Sequence, residues 1–316
     1  TDGFKVGAQL PSSSTVATII GFSANTTRLA LETLATQNIV SHRFKNARDC
    51  GWSVMSLDFE IKNGVAVIPE GTKTISLDAF KDCFSLQSIT IPEGVKAIGN
   101  DAFNFCRSLT KITLPSTIES IGDRAFFECV RVEEFKGSEN IISIGANAFD
   151  TCNSITSIKL GNKLKKIGSE AFKSCMMLRE ATIPASVTTL GDGIFAGCSS
   201  LMKAVILTDI DVLGQSFFSS CALLGEVTLP KGLKEISRSA FHACASLSEI
   251  DIPEGVSIIG EAAFAYCHSL QTVTLPARLT SLGMSAFQGS GIVEIVIPSG
   301  VKKSLRWINP MISSTL

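Results

Sequence analysis

The chain has 316 residues, of which 45% are hydrophobic and 18% are charged, which is enough apolar material for a large core and too little charge for a disordered chain. Its 28 basic and 29 acidic residues leave a net charge of −1, so no overall field favours nucleic acid or an anionic membrane as a partner. No apolar run approaches the ~20 residues of a membrane-spanning helix, and we expect no membrane span. The chain begins with Thr1 rather than Met, so we expect a processed or partial chain.

Residues 1–56 show no internal repeat. The stretch from Thr26 to Asn38 predicts an amphipathic helix, with Ser23 or Asn25 as its N-cap. We interpret 1–56 as an N-terminal cap for the region that follows, with a segment of a preceding domain as the alternative. Asn25 also begins the triplet Asn-Thr-Thr, a possible N-glycosylation site if a eukaryote secretes the chain.

From residue 57 to about residue 300, one pattern returns every 23 residues, which predicts a repeat protein. Phenylalanine marks every repeat, at Phe80, Phe103, Phe126, Phe149, Phe172, Phe195, Phe218, Phe241, Phe264 and Phe287. Cysteine follows three residues later in all but the last repeat, at Cys83, Cys106, Cys129, Cys152, Cys175, Cys198, Cys221, Cys244 and Cys267. Ser290 replaces the tenth cysteine, and only Cys50 lies outside the pattern.

The rest of each repeat predicts a strand, a turn and a compact bend. Stretches such as Ser88 to Ile91 alternate polar and β-branched residues, as a strand with one buried face does. A proline such as Pro92 ends most of these strands, since it has no N–H for pairing. A glycine such as Gly99 then indicates a positive φ or a close approach of two backbones. The following Ala-Phe-x-x-Cys predicts a single turn of helix with Phe and Cys facing inward.

Such units cannot bury their apolar faces alone, so we predict that they stack as about ten turns of a solenoid. The fold class is therefore a leucine-rich-repeat-type α/β solenoid, with one short parallel strand in each 23-residue turn. The Phe column supplies bulk to the core, and Cys fills the small space below it. We interpret the cysteines as free structural thiols, with disulfides between neighbouring turns or a zinc site as less favoured alternatives.

The unit C-x-x-L-x-x-I-x-I-P-x-x-V-x-x-I-G-x-x-A-F resembles the BspA-like class of leucine-rich repeat, from about Leu57 to Gly300. That resemblance implies surface proteins of anaerobic bacteria and parasitic protists, some of them associated with adhesion to host matrix proteins or to other cells. Three repeats depart from the pattern. Val130 to Asn140 lacks the strand proline, Leu207 replaces proline in another, and the repeat that contains Phe287 is one residue shorter. Residues 301–316 are interpreted as a C-terminal cap or a linker.

Two columns of strand residues are predicted to point outward and to form a binding face. Its candidate residues are Ser88, Thr90, Lys111, Thr113, Glu134, Lys136, Lys159, Thr182, Glu226, Thr228, Glu249, Asp251 and Thr274. The middle of the face is basic and its later part is acidic, so a protein of complementary charge could be steered there. The alternative interpretation is that these are ordinary solvent-facing strand residues.

No hydrolase, phosphate-binding or metalloprotease motif occurs in a suitable context, and we predict a non-enzymatic protein without cofactor, metal or nucleic-acid partner. His42, His242 and His268 are interpreted as structural or surface histidines. The predicted partner is a protein ligand, such as a host matrix or cell-surface protein, and the predicted location is the cell surface or the extracellular space. The alternative is a cytoplasmic scaffold or assembly subunit, which unpaired cysteines favour.

Overall fold

A computed structural model describes residues 40–44, 50–54, 60–137 and 139–301. Two antiparallel hairpins come first: β1 (Val40–Phe44) with β2 (Cys50–Val54), and β3 (Glu60–Lys62) with β4 (Val65–Val67). The predicted helix from Thr26 to Asn38, the sequon at Asn25 and nearly all of 301–316 lie outside the described residues. The assignments of 1–56 and 301–316 as caps therefore stay predictions.

From residue 65 onward the chain winds as a parallel solenoid, and we call each 23-residue turn a layer. One strand in most layers belongs to a first series, which follows β4 in parallel. These strands are β6 (Ser88–Thr90), β8 (Lys111–Thr113), β10 (Glu134–Lys136), β12 (Ser157–Lys159), β14 (Glu180–Ile183), β16 (Lys203–Ile206) and β18 (Glu226–Thr228). The predicted solenoid of short parallel strands is confirmed.

Each layer also contains a second, two-residue strand that was not expected. This second series consists of β5 (Thr74–Ile75), β7 (Ala97–Ile98), β9 (Ser120–Ile121), β11 (Ser143–Ile144), β13 (Lys166–Ile167), β15 (Thr189–Leu190), β17 (Val212–Leu213), β19 (Glu235–Ile236), β20 (Ile258–Ile259) and β21 (Ser281–Leu282). A two-residue strand is too short to show the alternation by which strands are recognised in a sequence. It corresponds to the short apolar run before the glycine that recurs in most repeats.

Register follows the sequence repeat without a slip. Every parallel pair joins residue i to residue i+23, as in Ile89 with Ile112 and Ile98 with Ile121. Equivalent side chains therefore lie directly above one another along the molecule, about 4.8 Å apart where strands pair.

The core contains a continuous column of phenylalanine rings. All ten rings of the Phe column are buried, and each stacks on the next with ring centroids 5.0 to 5.9 Å apart. The planes of neighbouring rings differ by 2° to 24°. A ring removed from the middle of such a column would leave two unsupported neighbours, so we expect a large loss of packing energy there.

The cysteine column is hydrogen-bonded as well as buried. The Cys106 thiol donates to the carbonyl of Phe80 in the preceding layer at 2.9 Å, and each thiol from Cys129 to Cys267 makes the equivalent bond at 3.1 to 3.3 Å. The same Phe80 carbonyl also accepts the Cys83 N–H. Ser290, at the tenth place, donates instead to Phe287 in its own layer, at 2.8 Å.

The Ala-Phe-x-x-Cys stretch is not a turn of helix, and that expectation was wrong. Residues two before and two after each Phe have positive φ, such as Asp78 (57°), Asp82 (61°) and Phe105 (61°). Their N–H groups, and that of the Phe between them, donate to carbonyls of the next layer, as in Phe80 to Ala102 at 2.6 Å. Inter-layer bonding therefore replaces the i to i−4 bonds of a helix. We call this side of the solenoid the turn face.

The glycine column serves a close approach of backbones rather than a positive φ. A Cβ placed on Gly191 would lie 2.2 Å from the Ser169 nitrogen, and one on Gly168 would lie 2.4 Å from the Ala146 nitrogen. Neither glycine has a positive φ. Of the two reasons for glycine that the sequence offered, only the second applies here.

A substituted proline coincides with a break in the second series of strands. In regular layers the N–H three residues after the proline closes a turn, as in Val187 to Pro184 at 3.2 Å. The layer that contains Leu207 lies within the described residues, and the corresponding turn bond, from Ile210 N–H to the Leu207 carbonyl, does not form there. The Leu207 N–H donates instead to the Ile183 carbonyl, at 3.0 Å. The strands of the second series form two sheets, and the break falls between β15 and β17, on either side of this irregular turn.

Candidate functional site

The outward columns of the first series form an exposed polar surface, which we call the strand face. Its predicted residues are exposed, apart from the half-buried Ser88. The residues on the opposite side of each strand are buried, as Ile89 and Ala181 are, or partly buried, as Ile112 is. The residues that the sequence alternation predicted to point outward are therefore the exposed ones in these strands.

The basic middle of the strand face is only partly available for a ligand. Lys136 contacts Glu134 on its own strand at 3.0 Å, and Lys159 lies 3.9 Å from Glu139. Lys111 has no ion pair within the described residues. Because exposed pairs of this kind are weak, a ligand carboxylate could compete for these lysines.

The acidic part of the strand face borders a groove of about 650 Å³. Its walls include Glu226, Glu249, Asp251 and Glu254, together with three threonines from the layers on either side of 249–251. Glu226 binds Lys203 at 2.7 Å, and this contact raises the pKa of the lysine. The other three carboxylates have no ion pair in the part of the chain that the structure describes. The groove therefore presents net negative charge.

The groove opens where pairing of the first series stops. β18 pairs with β16, but the next two layers, at 249–251 and 272–274, contain no assigned strand. No backbone hydrogen bond joins 249–251 to β18 in this described region. The second series remains paired there, because β19 joins β20 and β20 joins β21. The layers thus separate only on the strand face.

An exposed apolar cluster borders the strand face at the amino ends of β14, β16 and β18. Met176, Met177, Met202 and Leu223 are each about half exposed, and we call them the methionine cluster. Backbone bonds connect their three segments, including Leu223 N–H to Ser199 at 3.3 Å. Sequence reasoning missed this cluster. Most repeats have serine at the position of Met177 and Leu223, so the apolar residues at these two positions could have been noticed in the sequence.

The turn face contains a network of charged side chains around the buried carboxylate of Asp101. Arg124 donates to both of its oxygens, at 2.8 and 3.0 Å, and Asn104 donates at 2.5 Å. Burial alone would raise the pKa of Asp101, but these hydrogen bonds and the charge of Lys81 outweigh it and lower the pKa. At Asp150, in contrast, burial dominates and raises the pKa. These contacts stabilise the turns.

The histidines do not form a catalytic arrangement in the described residues. His242 and His268 pack edge-on against Tyr266, with centroids 5.3 and 6.2 Å away, and the His268 Nδ1 lies 2.9 Å from the Gly289 carbonyl. Among the described residues, no group of three His, Cys, Asp or Glu side chains could hold a metal. A helix long and apolar enough to span a membrane is likewise not found in that part of the chain.

Comparison with known proteins identifies the repeat. The sequence matches the BspA type leucine-rich repeat region in six copies, over residues 73–202 and 194–306. A leucine-rich repeat protein from Eubacterium ventriosum is 18% identical, with a TM-score of 0.53 over 75% of this chain and 85% of that one. One from Bacteroides ovatus is 20% identical, with a TM-score of 0.47 over 83% of this chain and 88% of that one.

A leucine-rich cell surface protein from Faecalibacterium prausnitzii is 26% identical, with a TM-score of 0.43 over 68% of this chain and 60% of that one. No protein with a curated description matches the sequence. The family match spans about three quarters of the chain and coincides with the stacked Phe and Cys columns. The chain belongs to the BspA type leucine-rich repeat family.

Proposed function

We propose that this solenoid is a non-enzymatic module that binds a protein ligand through its strand face, as part of a cell-surface or secreted protein. The observation that carries the proposal is the groove at Glu249, Asp251 and Glu254, where unpaired carboxylates border a gap in strand pairing. Extended faces of solenoids are common binding surfaces. A basic segment of a ligand would meet both complementary charge and concave shape there.

The geometry of the strand face supports binding rather than chemistry. Its exposed side chains are mainly threonine, lysine and carboxylates, spaced by one layer along the molecule. Such a repetitive surface fits an extended partner that touches many layers, with modest energy from each contact. The face has few aromatic side chains, which usually dominate tight interfaces, so we expect moderate affinity.

Buried thiols are compatible with the extracellular location that we propose. Each ladder thiol is covered by the core and donates a hydrogen bond, apart from Cys83 at its start. Burial raises the pKa of Cys83 and Cys267 to about 12, and it raises the pKa of Cys106 as well. Because oxidation begins from the thiolate, these cysteines resist oxidation while the solenoid is folded.

Affinity capture from matrix and cell-surface extracts tests this function. The immobilised full chain should enrich one or more proteins, and Glu249→Lys with Asp251→Lys should abolish that enrichment. The matched control is Glu70→Lys with Glu261→Lys, which makes the same charge change outside the groove and should retain the ligand. If every captured protein binds the groove variant and the control equally, the strand face is not the binding site.

A further inference from the structure

We propose that the ligand segment in the groove of the strand face is an extended stretch with arginine or lysine at alternate positions, running along 249–254. The inference rests on the proposed function, because it assigns a chemical class of partner to the same groove. Of the carboxylates in the walls, Glu249, Asp251 and Glu254 belong to one layer, and only Glu226 belongs to the layer before. The negative charge is therefore arranged along a layer rather than across the layers.

The carboxylates of Glu249 and Asp251 project from the same side of the chain. Both residues are exposed, whereas Ile250 between them packs against the core and Ile252 is buried. This period of two is that of an extended chain, although no strand is assigned to 249–251. Two extended residues span about 6.6 Å, which is also the distance between residues i and i+2 of an extended ligand. Basic side chains at alternate positions would therefore face both carboxylates.

A loss of strand pairing in the groove favours a basic side chain with several donors. In regular layers of the first series, neighbouring chains bond directly, as Ile91 N–H does to the Thr113 carbonyl at 3.1 Å. The equivalent bond, from Leu229 N–H to the Asp251 carbonyl, does not form in this described region. A guanidinium group carries five N–H donors in a planar fork, enough for this carbonyl and a nearby carboxylate together.

The lining of the groove favours a basic peptide over the other possible occupants. Every charged residue in its walls is acidic, and the others are threonines, a glycine and aliphatic residues, so an acidic segment would be repelled. A divalent cation needs oxygen ligands that converge on one point, whereas these carboxylates are spread along an extended chain. Among the described residues, no group of three His, Cys, Asp or Glu side chains could hold a metal ion.

An NMR titration of the full chain with two end-capped peptides tests the spacing. Their sequences are Ser-Arg-Thr-Arg-Thr-Ser, with alternate arginines, and Ser-Thr-Arg-Arg-Thr-Ser, with adjacent arginines. Composition and charge are the same, but adjacent side chains of an extended chain point to opposite sides. We expect the alternate peptide to bind about threefold tighter or more at low ionic strength. Equal affinities, or no binding of either peptide, would overturn the proposal.

A double substitution tests which residues provide the preference. Glu249→Gln with Asp251→Asn should weaken binding of the alternate peptide about tenfold, since each exposed ion pair changes an affinity by about fivefold at most. The variant should also bind the two peptides alike. The matched control is Glu70→Gln with Glu133→Gln, which removes two exposed carboxylates outside the groove and should retain both affinity and preference. Melting curves confirm that each variant folds.

Protein capture and peptide titration separate this inference from the proposed function. If captured proteins depend on Glu249 and Asp251 but the two peptides bind alike, the groove binds a protein and the inferred spacing is wrong. If the alternate peptide is preferred and no protein is captured, the groove recognises this chemistry and the proposed protein ligand is wrong. Binding of Ca²⁺ without binding of either peptide would identify a cation site and overturn the inference.

Discussion

At the scale of single residues, the fold depends on positions where neighbouring backbones leave no room for a side chain. The glycine column lies where consecutive layers almost touch, so a side chain there meets backbone rather than space. The turn face imposes a different demand, since two residues per layer adopt a left-handed conformation with few glycines among them. Each such non-glycine residue costs about 1–2 kcal/mol, which inter-layer hydrogen bonds must offset.

Replacing Gly191 with alanine should destabilise the protein by about 1–3 kcal/mol, because the new methyl group meets the Ser169 backbone at 2.2 Å. The measurement is the free energy of unfolding from a denaturant titration. Gly225→Ala is the matched control, since its nearest neighbour lies 3.9 Å away and its φ is not positive. Equal effects of the two substitutions would contradict the close-approach explanation.

The lowered pKa of Asp101 should appear in the pH dependence of stability. The pKa of Asp101 is lower in the folded chain than in the unfolded chain, where it is about 3.9. Its contribution to stability is therefore complete above pH values near the unfolded pKa, and that contribution is lost as the pH falls through the pKa of the folded state. Asp101→Asn should cost up to about 1 kcal/mol at neutral pH, since Arg124 is half exposed. The difference from the wild type should shrink in acid.

The control for this acid titration is Glu119→Gln, which removes an exposed carboxylate that pairs with Lys96 at 3.0 Å. Its unfolding free energy at neutral pH should differ little from that of the wild type, because ion pairs at the surface contribute little to stability. A difference between Asp101→Asn and the wild type that stays constant down to the lowest pH would show that the charge of Asp101 is not what stabilises the turn.

At the scale of structural elements, the Phe and Cys columns act as one unit. Each Phe carbonyl from Phe80 to Phe241 accepts both a backbone N–H of its own layer and a thiol of the next. The ring and the thiol are therefore tied to the same peptide group. This connection explains why both residue types repeat at the same interval, which apolar packing alone would not require.

The nine ladder thiols should not react with iodoacetamide at pH 8 in the folded protein, because all nine are buried, which blocks access, and burial raises the pKa of thiols such as Cys83 and Cys129. All nine should react once the chain is unfolded in denaturant. Peptide mapping by mass spectrometry distinguishes the ladder cysteines from Cys50. Rapid labelling of Cys152 in the folded state would show that the column opens readily.

Several of these elements could be predicted from the sequence, for physical reasons that differ between them. The Phe and Cys columns and the outward strand residues repeat at one interval, and the alternation of Ile89 with Thr90 shows which side is buried. The left-handed turns could not be predicted, because Phe105 and Tyr266 are residues that rarely adopt positive φ. Inter-layer hydrogen bonds, which no local pattern shows, determine their conformation.

The candidate site was predictable in chemistry and not in shape. Residues 226–228 and 249–251 have nearly the same alternation, Glu-Val-Thr and Glu-Ile-Asp, yet only the first is a paired strand. The groove results from a loss of pairing between two layers, which neither stretch encodes alone. The methionine cluster had a local signal, since Met177 replaces a serine that recurs elsewhere, but its exposure depends on the fold.

At the scale of the whole molecule, the uniform register means that each layer pairs with its neighbours in the same way. Contacts connect each layer mainly to the one before and the one after, so stability is close to a sum over layers and interfaces. Sequence differences between layers then affect the surface more than the core. This arrangement allows the strand face to change charge along its length while the Phe column remains the same.

Removing one complete repeat, residues 143–165, should leave a folded solenoid, because β13 would take the place of β11 against β9. The denaturant m-value should fall by about one tenth, in proportion to the surface that unfolding exposes. Circular dichroism and a denaturant titration measure both effects. Removing 143–159 is the control, since it leaves 29 instead of 23 residues between the starts of β9 and β13 and should disrupt pairing at that one interface.

The hydrogen bonds of the turn face also give it a direction. At each of the nine interfaces between layers of the Phe column, three peptide N–H groups point toward the carboxyl-terminal end and three carbonyls point back. Peptide dipoles that are aligned in this way add rather than cancel, as they do in an α-helix but with the opposite sense. One side of this solenoid is therefore electrically polarised lengthwise, with its positive pole at the end where an α-helix has its negative one.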